Sequence, residues 1–369
     1  VGPQDVPPDW PPLQVNELDA VLASYPDFAG ATPRIVWHSP RPLSAAALVQ
    51  TEDNRIFVKR HHVSVRTAAC LEEEHRFIAH LRHKALPVVR VYANARGHTA
   101  VMQGDWTYEI HSAGRGEDVY RETTSWTPLT DLARAREAGT MLARLHRAAA
   151  DYDAPQRSTH LLVARDDLIR ADDPVAALQA QFVERSALAA WLQARNWPAD
   201  FRQHLLPWHR GLADRLRNAP RLWAHNDWHA SNLLWQDAGT AVLVSGVLDF
   251  GLASPTSALF DLATAIERNA IAWLSLEQGI EAVHVDTALA LLAGYRDIQP
   301  LDPECVQLLA DLLPLVHVDF ALSEVEYFHA ITCSPENAGV AYDTFLLGHA
   351  QWFGTVPGQT LLRALRAAA

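Results

Sequence analysis

Two short segments constrain this chain more than anything else in it: His225-Asn226-Asp227-Trp228-His229-Ala230-Ser231-Asn232-Leu233-Leu234-Trp235 and Val247-Leu248-Asp249-Phe250-Gly251. Leu222 to Ala224 approach the first segment, Leu233 to Trp235 leave it, and Ala241 to Leu248 form a valine-rich apolar run that ends in an acid. Apolar runs of this length, broken by polar turn-forming residues, predict a loop between short β segments followed by a strand that delivers Asp249. The pattern sets a carboxylate and a carboxamide, Asp227 and Asn232, on one loop and a second carboxylate, Asp249, beside it. These are hard oxygen donors suited to Mg²⁺, which takes carboxylate and amide oxygens and keeps several waters.

An aspartate five residues before an asparagine, with a second aspartate before Phe-Gly, resembles the layout of protein kinases. That resemblance implies roles: Asp227 accepts the proton of an acceptor hydroxyl, and Asn232 and Asp249 hold Mg²⁺ on the phosphates of a nucleotide. More narrowly, His-Asn-Asp-Trp-His-Ala-Ser-Asn-Leu-Leu is similar to the His-Gly-Asp-x-His-x-x-Asn-[Leu/Ile]-[Leu/Ile] motif of the aminoglycoside phosphotransferase and choline kinase family. These are protein-kinase-like small-molecule kinases, and type II homoserine kinase-like enzymes are similar too. The likeness runs from about Pro33 to about Leu347, with its specificity concentrated in the two motifs. Asn226 stands where the family usually has Gly, and Asn is the residue other than Gly that best tolerates positive φ. Gly251-Leu252 after Asp-Phe is nearer the protein-kinase form than the Asp-x-Asp of aminoglycoside kinases, which argues against a specific antibiotic-kinase assignment.

Among 31 Lys+Arg residues, lysine occurs only at Lys59 and Lys84. Lys59 lies in Arg55-Ile56-Phe57-Val58-Lys59-Arg60-His61, a β-branched and aromatic run after the turn-like Glu52-Asp53-Asn54, and reads as the strand lysine that meets the α and β phosphates of ATP. Its ion-pair partner is expected on the next helix, Ala68 to His83. There Glu74, Ile78 and Leu81 share one face, so Glu74 is preferred to Glu72 and Glu73. Before Lys59, Arg34 to Gln50 reads as two strands joined by a loop with no glycine, leaving Ser39, Ser44, Arg41 or backbone amides to cover the phosphates. Thr99 to Gln103 and Trp106 to His111 complete a five-stranded antiparallel sheet. Ser112-Ala113-Gly114-Arg115-Gly116 follows where a kinase hinge presents backbone groups to adenine, which makes Ser112 and Ala113 candidate nucleotide contacts.

The fold class expected is therefore α+β and two-lobed. An arm and first helix occupy residues 1–32, the nucleotide-binding small lobe 33–113, and a mostly helical large lobe 114–369. At 369 residues and 49% hydrophobic, the chain is long enough for both lobes. Arg134 to Ala150 is strongly helical and ends near His146. Asp151 to Arg157 looks like a connector, and Leu161 to Leu216 reads as helices that enclose the acceptor in the resembling family. Leu259 to Ala265 opens a helix whose Asp261 resembles a family aspartate bracing the catalytic loop, and Leu361 to Ala369 reads as a short terminal helix. Pro3 to Pro12 is expected as an extended arm. No run of 18 apolar residues and no basic start with an apolar core occurs, so neither a membrane span nor a secretory signal is expected. Cys70, Cys305 and Cys333 are widely spaced, which suits a reduced cytoplasmic compartment and not a zinc site or disulfide scaffold.

From Leu259 onward, fourteen acids face four arginines, so −10 of the formal −12 charge lies there. Such a field disfavours nucleic acid and attracts amines. Asp319, Ser323 and Glu326 fall on one helix face, and Asp319 and Glu326 are candidate ligands for an amino group. Trp126, Trp191, Trp197 and Trp208 suit a ring-bearing ligand or, equally, core packing. The function expected is Mg²⁺-dependent transfer of a γ-phosphoryl group from ATP or GTP to a small-molecule hydroxyl. The same motifs fit a Ser/Thr protein kinase. A non-catalytic nucleotide-binding pseudokinase fits less well, because Lys59, Asp227, Asn232 and Asp249 are all present.

Overall fold

The computed structural model describes residues 8–124, 126–217, 219–239 and 241–369. Five antiparallel strands, β1 (Arg34–His38), β2 (Ala45–Gln50), β3 (Arg55–His62), β4 (Ala100–Gln103) and β5 (Trp106–Ser112), form a sheet in the order β1-β2-β3-β5-β4. Side chains alternate across such a sheet. One face buries Ala47, Val49, Ile56, Val58, Tyr108 and Ile110 against Leu18, Val21 and Leu22 of helix α1 (Val15–Leu22), with Tyr25 and Phe28 beside them. The other face is polar: Lys59 lies directly across from Glu109 in the β3–β5 ladder, with His61 and His111 two residues along. Helix α2 (Ala68–His83) covers it, capped by the Thr67 side chain accepting from Cys70 N at 3.2 Å. Phe77, Ile78 and Leu81 of α2 are buried in the larger core.

The arm expected over Pro3 to Pro12 is described only from Pro8, its earlier part lying outside the described residues. Trp10 stacks on His62 at 5.2 Å and donates through Nε1 to the Tyr327 hydroxyl at 3.0 Å. It thereby touches both lobes.

The large lobe is helical, and two of its helices approach unusually closely. Asp131 caps α3 (Leu132–Ala149) by accepting from Ala133 N and Arg134 N. The helix Val285–Ile298 packs along it with a glycine from each side at the contact. A Cβ on Gly139 would lie 2.0 Å from the Leu291 carbonyl oxygen, and one on Gly294 would lie 1.8 Å from that of Arg136. Both obstacles are backbone, so the helices themselves must move apart. Gly294→Ala is expected to cost about 3 kcal/mol or more, read as a lower denaturation midpoint, whereas a change below about 1 kcal/mol would contradict this packing.

Strand β6 (Leu222–Ala224) pairs with β9 (Ser254–Thr256), and β7 (Leu233–Ala238) pairs with β8 (Ala241–Val247). The loop carrying Asp227 and Asn232 joins the two small sheets. Residues 161–216 supply short helices such as Pro174–Gln181 and Ser186–Leu192, and the chain ends in the helix Val356–Ala367, which starts before the expected Leu361. No helix among the described residues is long and apolar enough to cross a membrane. All three cysteines are free thiols.

Candidate active site

The loop after β6 is held from one helix. Ser257 caps Ala258–Ala270, and Asp261 in its first turn is fully buried. Its carboxylate accepts from the backbone N of His225 at 2.9 Å, from Asn226 N at 2.8 Å and from His146 Nε2 at 3.0 Å. At the penultimate position of the same helix, Asn269 accepts from Ala230 N at 3.0 Å and donates to the Trp228 carbonyl at 2.7 Å. Both flanks of Asp227 are therefore fixed by a single rigid element. Asn226 adopts φ +60°, as its replacement of glycine requires, and it also does what glycine cannot. Its Nδ2 donates to the Ser254 carbonyl at 3.1 Å and its Oδ1 accepts from the Thr256 hydroxyl at 2.7 Å, sewing the loop to β9. The His225 ring reaches the Leu248 carbonyl at 2.8 Å, tying the loop to the residue before Asp249.

Asp227, Asn232, Asp249 and Lys59 converge. Asn232 Nδ2 donates to the Asp227 carbonyl at 2.9 Å and to Asp227 Oδ2 at 3.1 Å, which leaves the carboxamide oxygen as its ligand atom. Lys59 Nζ pairs with Asp249 Oδ1 at 2.8 Å. Burial works against the Lys59 ammonium, but Asp249 and then Glu109 outweigh it and raise its pKa. Desolvation likewise opposes the Asp249 carboxylate, yet Lys59 pulls its pKa down to about 2. Asp227 shifts the other way: burial raises its carboxyl above the usual 3.8, against the pull of Arg268. One carboxylate is thus committed to charge and its neighbour is more basic. His229, two residues after Asp227, is neutral, because burial pushes its pKa down to about 3. It anchors the loop on the Thr127 carbonyl at 3.0 Å.

Glu74 differs from expectation. It is buried, as its helix face implies, but its Oε2 receives Arg157 Nη2 at 3.0 Å and not Lys59. Arg157 comes from the connector after α3 and is fully buried at its side chain, so it needs a carboxylate more than Lys59 does, which has Asp249. The acid opposite Lys59 is Glu109. His61, His75 and His111 surround it through Nε2 at 3.0, 2.6 and 3.0 Å, and they hold its carboxyl well below the usual range despite burial.

The β1–β2 loop contains Ser39 and Ser44. Ser39 Oγ accepts from Arg41 N at 3.3 Å, so it shapes the loop. Arg41 interacts electrostatically with Asp227, Asp118 and Asp249, which offsets part of the lowering that burial imposes on its pKa. It stands over the site where a glycine-rich loop was absent from the sequence. At the segment after β5, Ser112 N donates to the Arg90 carbonyl at 2.8 Å and Ala113 N to the Arg55 carbonyl at 3.2 Å. Both N–H groups are therefore engaged within the protein. Gly116, at φ +111°, runs against β7, where a Cβ would lie 2.6 Å from the Trp235 carbonyl oxygen.

The acceptor-side acids are also corrected. Asp319 and Glu326 do share a buried helix face, but Arg185, itself fully buried, occupies it with contacts of 3.3 Å to each. His160 adds a contact to Glu326 at 3.1 Å. These acids are spent inside the protein. Of the four tryptophans, Trp197 packs in the core, Trp191 lies against Tyr342, and Trp126 stands at the site with its ring 5.1 Å from the Arg268 guanidinium. Arg268 itself, ion-paired with Asp227 Oδ1, escaped the sequence reading. The signal was present: Asp261, Glu267 and Arg268 are the only charged residues in the apolar helix Ala258–Ala270.

Residues 43–309 match the model of the phosphotransferase enzyme family. The chain belongs to this family. As a phosphotransferase it is a kinase, and its α+β, two-lobed architecture is that of protein-kinase-like phosphotransferases. Similar solved structures include a microcompartment-associated aminopropanol kinase, at 17% identity over 94% of this chain and 99% of that one, with a TM-score of 0.57. An amicoumacin kinase bound to AMP-PNP and Ca²⁺ shares 11% identity over 92% of each chain, with a TM-score of 0.58. The ethanolamine kinase of Plasmodium vivax shares 12% over 93% of this phosphotransferase and 89% of its own chain, at 0.57. At these identities the likeness is one of fold. No curated protein matches the chain.

Proposed function

We propose that this phosphotransferase moves the γ-phosphoryl group of ATP, as its Mg²⁺ complex, to the hydroxyl of a small molecule. The observation that carries the reading is the convergence of Lys59, the loop residues Asp227 and Asn232, and Asp249 from three separate stretches of chain. The donor set fits the metal: a half-exposed carboxylate at Asp249 and a carboxamide oxygen at Asn232 are hard ligands that leave room for water and phosphate. When bound there, Mg²⁺ supplies charge neutralisation at the phosphates. Residues 33–113 hold the nucleotide in this reading, with Lys59 on its phosphates and the Ser39 to Ser44 loop over them through Arg41. Residues 114–369 hold the acceptor.

Asp227 is the base. Its raised pKa suits a group that must take a proton as the hydroxyl oxygen attacks, and Asp261 and Asn269 keep it in place. Phosphoryl transfer needs positioning and electrostatics, not a covalent intermediate, and this loop is built for positioning. The reading is tested by Mg²⁺-dependent ADP or GDP release, with ATP or GTP, across a panel of hydroxyl-bearing small molecules, using Asp227→Ala as the control. Turnover that survives in Asp227→Ala, or label passing to polypeptide and not to a small molecule, would contradict it.

A further inference from the structure

The phosphotransfer reading leaves one charged side chain beside the base without a task. Arg268 is ion-paired through Nη1 with Asp227 Oδ1, and only 13% of its side chain is exposed. Its guanidinium lies 5.1 Å from the Trp126 ring and 5.5 Å from the Phe320 ring, within cation–π range of both. Its Nε is buried with no hydrogen-bond partner. Arg268 also lines a small cavity next to Asn226, together with Arg165, Glu267, His317 and Phe320, and Arg165 Nε is a second buried donor without a partner.

The other ionisable groups nearby are weak counter-ions. Burial raises the Glu267 carboxyl and pushes Glu324 up to about 7, in both cases against the pull of Arg268. Burial also lowers His317 to about 4 and His349 well below the usual histidine value, so both rings are neutral. Both guanidinium groups line this cavity, and the carboxylate that Arg268 pairs with is Asp227. That carboxylate is held on both sides, by Arg268 at Oδ1 and by Asn232 at Oδ2. For Oδ1 to be released to an acceptor hydroxyl, Arg268 needs another anion.

We propose that the acceptor supplies that anion: Arg268 recognises the acceptor, which is an alcohol bearing a carboxylate or phosphate group a few bonds from the hydroxyl it presents to Asp227. This rests on the phosphotransfer reading and names the substrate class for it. A planar guanidinium with a spare donor suits a two-oxygen anion. An ammonium-bearing acceptor would instead meet Arg268 and Arg165 as like charges. The chemistry of the pair is an exchange of ion-pair partners with no bond made or broken at Arg268. The guanidinium passes from Asp227 to the acceptor's oxyanion, and Asp227 passes to the hydroxyl.

The test compares ADP release with Mg·ATP for four matched sets of short alcohols: hydroxy acids, phosphate-bearing alcohols, amino alcohols and neutral diols. One of the two anionic sets is expected to give the highest kcat/KM, and which one distinguishes the two oxyanions. Arg268→Gln should then raise KM for that set about 10- to 100-fold with a smaller change in kcat, and Arg268→Lys should recover part of the loss. Thermal melts of both variants, with and without Mg·ATP, separate this effect from misfolding. Preference for amino alcohols or neutral diols, or an unchanged KM in Arg268→Gln, overturns the proposal. If Mg·ATP stabilises the protein and no anionic alcohol yields ADP, the acceptor assignment falls by itself. Absence of Mg·ATP stabilisation would instead remove the phosphotransfer reading beneath it.

Discussion

Asp227→Asn is expected to lower kcat by about 10²- to 10⁴-fold while leaving Mg·ATP affinity nearly unchanged. Asparagine keeps the shape and the bond to Asn232 but cannot take the proton, so the loss falls on the chemical step, about 3–5 kcal/mol of barrier at 1.36 kcal/mol per tenfold. The pH profile supplies an independent readout. A base must be ionised to act, so the rate falls as pH drops through its pKa. Burial places that pKa above the 3.8 of an ordinary aspartate, although Arg268 limits the rise. The acid limb of kcat/KM should therefore lie above pH 3.8 in the wild type and be missing from whatever activity Asp227→Asn retains. A variant with wild-type kcat, or one retaining the same acid limb, would remove Asp227 from the role of base.

Asp261→Ala is expected to cost about 3–5 kcal/mol of stability and to depress kcat together with it. The Asp261 side chain is fully buried and answers three donors: the backbone N–H groups of His225 and Asn226, and His146 Nε2. Removing it leaves those donors buried and unpaired, each at about 1–3 kcal/mol. Two of the three belong to the loop that carries Asp227, so the same change that lowers the denaturation midpoint also loosens the base. Urea denaturation and steady-state kinetics on one preparation check both effects. A loss under about 1 kcal/mol would show that Asp261 does not hold the loop.

Asp227, Asn232, Asp249 and Lys59 were legible because each sits in a local pattern whose chemistry is set by near neighbours in sequence. Asn226 was legible as a positive-φ residue for the same reason, but its bonds to Ser254 and Thr256 depend on β9 lying against the loop, which no local pattern states. Glu74 shows the limit from another side. Helix periodicity placed it inward correctly, yet periodicity gives direction and not partner, and the partner, Arg157, is 83 residues away. Asp319 and Glu326 repeat this case. Their shared face is real, and Arg185 closes it from a segment 134 and 141 residues distant. A buried arginine and a substrate amine leave the same trace in the sequence, a pair of acids on an apolar helix.

The small-lobe sheet was readable strand by strand, since alternation and turn residues mark it. The polar ring beneath α2 was not: His61, Glu109 and His111 belong to two strands, and only their pairing, with His75 above, assembles the four. Arg268 could have been found by asking why an apolar helix spends a Glu-Arg pair one residue before the Asn269 that anchors the loop.

Calorimetric titration of ATP, with and without Mg²⁺, into the wild type and Asp249→Asn tests the assembled site most directly. The wild type should bind ATP more tightly when Mg²⁺ is present, and Asp249→Asn, which keeps the shape but loses the charge that Lys59 and the cation share, should lose most of that increment. Equal Mg²⁺ dependence in the two proteins, or none in the wild type, would contradict the claim that Asp249, Asn232 and Lys59 form one metal and nucleotide site.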